Sequence, residues 1–121
     1  MIMNNSPQQT PTQPPLFTTF SAFWPHYLSE HANQSNRILH VIGTTLAVLV
    51  ATSAVILAIY PLLLLVPFCG YGWAWVGHFF IEKNKPTTFS YPLFSLMADF
   101  KMCALFYTGM LNKELQRCKV T

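Results

Sequence analysis

The stretch HVIGTTLAVLVATSAVILAIYPLLLLVPFCGYGWAWVGHFFIE, from His40 to Glu82, decides how this chain folds. Val41 to Tyr60 is about 20 residues without a charge, and Leu62 to Phe80 is a second uncharged run of about 19, each close to the length that spans a hydrocarbon core. Pro61 separates them, and so short a connection permits only an antiparallel hairpin. The midpoint between His40 and His78 is residue 59, beside the Tyr60-Pro61 break. Folding back at that point carries both histidines to the same depth on the same side of a membrane.

The rest of the composition agrees with lipid as the solvent. Of the 121 residues, 52% are hydrophobic and 9% charged, against about 25% charged in an ordinary soluble domain. The net charge of +3 is scattered and forms no basic face, so nucleic acid is not an expected partner and the lipid bilayer is. Cys69, Cys103 and Cys118 form no C-x-x-C pair, and an odd count argues against a disulfide framework. No basic n-region precedes the first apolar run, which predicts an uncleaved signal-anchor rather than a signal peptide. The expected fold is an all-α membrane protein, a transmembrane helical hairpin with amphipathic interfacial helices. Residues 16–115 form its single membrane-embedded domain, between a disordered tail at 1–15 and a short basic tail at 116–121.

The hairpin's flanks add detail. Phe17, Phe20, Phe23, Trp24 and Tyr27 recur at helical spacing, which predicts an amphipathic helix over Phe17 to Arg37, interrupted or started by Pro25 and lying among headgroups. Pro67, Gly70 and Gly72 predict a kink in the second span. Arg37 precedes the first span while Lys83 and Lys85 follow the second, which places the histidines and both basic flanks on the cytoplasmic side. Tyr91 to Met110 is a third apolar stretch, but Asp99 and Lys101 sit at its middle. Each such charge costs about 2.5–3.5 kcal/mol at the centre of a span. An interfacial or shallowly re-entrant helix packed on the hairpin is therefore expected, the alternative being a third span whose charges face protein.

Chemistry points to the same end of the hairpin. His78 and Glu82 are four residues apart, as are Asn36 and His40, so each pair shares a helix face. A carboxylate at that spacing either ligates a metal or orients the imidazole that does. On an unbroken helix His26 would fall about 40° from His40 and His31 on the opposite side; a bend between would bring in His31 instead. Both readings stand at this level. Asp99 needs a partner wherever it is buried, as ion pair or metal ligand. Arg37 and Lys83 are positioned to take a substrate carboxylate or simply to anchor helix ends. There is neither a Gly-rich phosphate loop nor a nucleophile elbow.

Taken together, Tyr27-x-x-x-His31-x-x-x-x-Asn36-x-x-x-His40 and Gly77-His78-x-x-x-Glu82-x-x-x-Pro86 resemble the signature of a small membrane family, that of the yeast 2-hydroxy-palmitic acid dioxygenase. The resemblance extends from about Phe17 to Met110. It implies an oxidoreductase that uses Fe(II) and dioxygen to shorten 2-hydroxy fatty acids by one carbon, in fatty acid alpha-oxidation. It also implies His31, His40, His78 and Glu82 as catalytic metal ligands; the residues themselves keep His26 and Asp99 as weaker candidates beside them. This chain is shorter than the yeast type and has Thr87 after Pro86 where that type tends to have Ala. Two alternatives remain: a b-type haem protein with axial histidines on paired helices, and a non-enzymatic hairpin that interacts with lipid.

Overall fold

The structure, a computed structural model, describes residues 16–120; the tail expected over 1–15 lies outside the described residues. It is helical throughout, with no strand among those residues. Helix α1 spans Phe20–Ser29, α2 Gln34–Ile56, α3 Val66–Val76, α4 Pro92–Tyr107 and α5 Leu111–Arg117. A 3-10 segment, Tyr60–Leu65, leads into α3, and a π-helical segment, Gly77–Glu82, continues it.

The expected helix over Phe17 to Arg37 is two helices. Thr19 opens α1, its side chain accepting from the Ala22 N–H. Pro25 does not stop it; Ser21, whose carbonyl loses its partner there, is on the exposed side. The break comes later, at Asn33, whose side chain accepts from the Ser35 N–H at 2.8 Å and caps α2. Arg37 secures the turn by donating to the carbonyls of His31 and Ala32 at 2.8 and 2.7 Å. The aromatic face of α1 also turns toward protein rather than headgroups. Phe23, Trp24, Tyr27 and Leu28 are 0–2% exposed and pack with Ala98 and Met102 of α4 and Leu111 and Leu115 of α5. Full burial of a large apolar side chain is worth about 1.5–3 kcal/mol, so this stripe ties α1 to the C-terminal helices. Cys118 and Val120 also pack against that core.

The hairpin forms as its two apolar runs require. α2 ends with the Ile59 N–H bonded to the Ala54 carbonyl at 2.9 Å and Ala58 in the left-handed region at φ 55°. Pro67 falls in the first turn of α3, where its missing N–H costs nothing, so the departures from regular α-helix lie at the two ends of this run. The glycines serve packing instead. A Cβ on Gly43 would sit 2.7 Å from the Gly70 carbonyl oxygen and 3.1 Å from that of Cys69, so α2 and α3 meet backbone to backbone there.

Two helical runs, Gln34–Ile56 and Tyr60–Glu82, are each 23 residues long and apolar enough to cross a membrane. Only 22% and 17% of their most apolar windows are buried, unlike the core helix of a soluble protein. Ile56, Leu64 and Phe68 near the apex are 74–77% exposed. α4, with 16 residues, is shorter than a span and crosses the face of α2. Its charges are matched by protein. Asp99 faces Tyr27 and His40, and Lys101 lies 4.5 Å from the Trp24 ring centroid.

The two glycines of the hairpin separate backbone propensity from helix contact. Gly43→Ala should destabilise the fold by about 1–3 kcal/mol through overpacking. Gly72→Ala, whose Cβ would meet nothing within 4 Å, should be neutral or stabilise by up to about 1 kcal/mol. Thermal unfolding in one detergent compares them; equal midpoints for the two variants would refute the close contact at Gly43.

Candidate metal centre

The break at Asn33 sets the site. It lets the chain reverse after α1, so that His31 in the turn points back at His40, almost two turns into α2. His78 arrives from the opposite leg of the hairpin through the π-helical segment. The winding there is wider than an α-helix, a feature concentrated at functional sites. Gly77 fits it against α2: a Cβ at that position would lie 1.8 Å from Asn36 Oδ1. The Asn36 side chain thus sits on bare backbone next to His78, four residues before His40.

The three imidazoles form one buried cluster, exposed by 0% at His31, 5% at His40 and 1% at His78. Their ring centroids are 4.3 Å (His31–His40), 4.5 Å (His31–His78) and 4.8 Å (His40–His78) apart. Each pair is close to perpendicular, at 77–89°. One nitrogen from each lies within 4.8 Å of the other two, and His31 Nε2 to His40 Nε2 is 3.2 Å.

The outward nitrogens explain the inward ones. His31 Nδ1 is 2.6 Å from the Tyr27 carbonyl oxygen, a group that can only accept. His40 Nδ1 is 3.3 Å from Asp99 Oδ1. His78 Nδ1 is 2.7 Å from Asn84 Oδ1, an assignment fixed because Asn84 Nδ2 donates to the Glu30 carbonyl and to Glu30 Oε2 at 3.0 and 2.8 Å. Each Nδ1 is thus engaged with an acceptor outside the cluster, which leaves the Nε2 atoms as the nitrogens available to a ligand in the buried interior. Burial, then the neighbouring His40 and His78, hold the His31 pKa well below the usual histidine range, so it is a neutral donor at neutral pH. Tyr27 is pushed up by burial and by Asp99; it stays a phenol and donates to the Asp99 carboxylate.

Such a donor set fits a metal. Three neutral imidazoles suit borderline divalent ions, Fe(II) and Zn(II) among them, and three protein donors leave coordination positions open. Each ligand also has the outer partner that such sites use to fix the tautomer.

Other residues marked by the sequence lie elsewhere. Glu82 is not among the converging groups. Its carboxylate accepts from the Asn33 N–H at 2.5 Å and lies 3.4 Å from Asn36 Nδ2. The exposed N–H groups at the positive end of α2 draw it there. His26 is half-buried against the rings of Phe17 and Phe23, at 5.0 and 6.0 Å, because the turn that admits His31 removes His26 from its face. Asp99 reaches the cluster through His40 Nδ1 rather than through its metal-facing nitrogen. Arg37 is engaged by the turn carbonyls, and Lys83 is exposed in a left-handed turn at φ 57°. The roles of Asn84 and Glu30 escape sequence reasoning; the one signal for them is an Asn in the polar loop two residues beyond Glu82.

Loss of an outer partner should weaken metal binding without removing a ligand. Asn84→Ala is expected to lower metal affinity by about 10–100-fold, and His26→Ala to leave it unchanged. Titration of the purified protein with a divalent metal measures both; equal affinities for the wild type and Asn84→Ala would contradict the role given to Asn84.

Comparison with known proteins agrees with these residues. No curated protein and no solved structure matches the chain. A family model described as 2-hydroxy-palmitic acid dioxygenase Mpo1-like matches residues 17–111, from just before α1 to the start of α5, a range that holds all three histidines and their outer partners. The chain belongs to the Mpo1-like family.

Proposed function

We propose that this protein is a membrane-embedded non-haem Fe(II) dioxygenase acting on 2-hydroxy fatty acids. The observation that carries this reading is the buried cluster of His31, His40 and His78, with one ring nitrogen of each within 4.8 Å of the others. Three imidazoles whose outer nitrogens are engaged present their remaining nitrogens as a donor set for a cation. The family's description supplies the substrate class and, with the dioxygenase activity, favours iron over zinc.

His31, His40 and His78 are the proposed ligands, with Glu82 bracing the N-terminus of α2 instead. Asp99, fixed by Tyr27, aligns His40, and Asn84, fixed by Glu30, aligns His78. Bound Fe(II) would supply dioxygen activation and open positions for a chelating carboxylate and 2-hydroxyl. In the overall reaction the C1–C2 bond breaks. C2 becomes the new carboxyl carbon, C1 leaves as carbon dioxide, and one dioxygen is consumed with release of one water. The apolar hairpin crosses the bilayer with the cluster at its basic, cytoplasmic end.

The alternatives lack this support. A porphyrin needs open space around the line joining its two axial histidines, and here the third imidazole occupies it. A purely structural hairpin has no need for three buried, tautomer-locked histidines.

Protein reconstituted with Fe(II) without oxygen should bind one iron and, on admission of air, convert 2-hydroxy-palmitic acid to the acid one carbon shorter. His78→Ala and His40→Ala should each lose activity by more than the roughly 100-fold that an outer partner costs. Iron-free wild type after reconstitution, or activity retained in either variant, would exclude the assignment.

A further inference from the structure

A groove of about 260 Å³ runs between α2, α3 and α4. His40 and Asp99 line it at one end; Ala51, Val66 and Pro67 line it at the other. Its α2 wall is Thr44, Ala47, Val48 and Ala51, one face of the helix at three- and four-residue spacing. Away from His40 and Asp99 the wall is almost entirely apolar. On the α4 side Leu96 and Phe100 remain 46% and 50% exposed, so the groove is open toward the lipid that would surround the hairpin.

Its length is that of one alkyl chain. His40 to Ala51 is eleven residues of α2, about 16 Å at 1.5 Å per residue. That is about half of a ~30 Å hydrocarbon core, the depth of one leaflet, which a single acyl chain fills. The groove stays open because its facing walls are small: Ala47 lies across from Gly70, where even an added Cβ would only reach an ordinary 3.8 Å from the Ala47 Cβ.

We infer that this groove is the subsite for the alkyl chain of the substrate, and that Ala47, Ala51 and Gly70 set the longest chain it accepts. The inference rests on the function proposed above for what happens at the head of the chain. The placement of the tail rests on the groove's continuity with His40. A head group held at the cluster leaves its tail in the leaflet-deep slot that begins at His40, and the narrow stretch at Ala47, Ala51 and Gly70 acts as a ruler.

Photolabelling tests this without turnover. The probe is 2-hydroxy-palmitic acid bearing a diazirine near its methyl end, added to the iron-reconstituted protein without oxygen. Adducts on Ala51, Val66 or Pro67 that unlabelled 2-hydroxy-palmitic acid competes away are expected. Adducts confined to the outer surface at Leu64 and Phe68, or displaced by phospholipid but not by the 2-hydroxy acid, would overturn it. In a second arm, Ala51→Phe and Ala47→Leu should bind metal like the wild type but prefer shorter chains. One methylene too many in an apolar pocket costs about 10–200-fold, and a loss in that range is expected for the longest substrates alone. A chain-length profile unchanged in both variants overturns the ruler. If the wild type labels at Ala51 yet oxidises no 2-hydroxy acid, the groove stands and the oxidation chemistry falls.

Discussion

Three buried imidazoles held edge to face, their ring centroids no more than 4.8 Å apart, are the constraint around which much of the chain is organised. Each ring is held from behind by an acceptor it cannot escape: a main-chain carbonyl for His31, a carboxylate for His40, an amide oxygen for His78. Those acceptors lie on α1, on α4 and in the loop after the π-helical segment, which are the segments the hairpin must gather around itself. The aromatic core of α1, α4 and α5 fixes Tyr27 and brings Asp99 within reach. The cluster is therefore the point where an apolar hairpin and a small helical cap meet. A cation bound there would connect both layers and contribute to folding as well as to chemistry.

Much of this is legible in the order of residues alone. Two uncharged runs around Pro61 require a hairpin, and the spacing of His40 and His78 about its apex brings their rings to 4.8 Å. The position of His31 depends on a bend whose marker, Asn33 as a helix N-cap, is present in the sequence but competes with an uninterrupted aromatic periodicity. That periodicity announces a helix and an apolar face. It cannot say whether lipid or protein covers that face, since the residues that do so lie some seventy or more positions later in the chain.

Glu82 shows the harder limit. Four residues after His78, it belongs at the metal by helix spacing alone. Spacing says which side of a helix a carboxylate leaves from, not which electropositive group lies nearest. The N-terminus of a 23-residue helix is nearer. The π-helical winding has no propensity signature at all; only the contact between Gly77 and Asn36 explains why bare backbone is needed beside His78.

The three outer acceptors differ in kind, and that makes the ligands unequal. The acceptor behind His40 is a carboxylate oxygen at 3.3 Å, whereas those behind His31 and His78 are uncharged oxygens at 2.6 and 2.7 Å. A metal held by these ligands would thus sit in an uneven field. Evolution can retune that field at Asp99 or Asn84 by a single side-chain exchange. It cannot do so at His31, because a substitution at residue 27 leaves the main-chain carbonyl where it is.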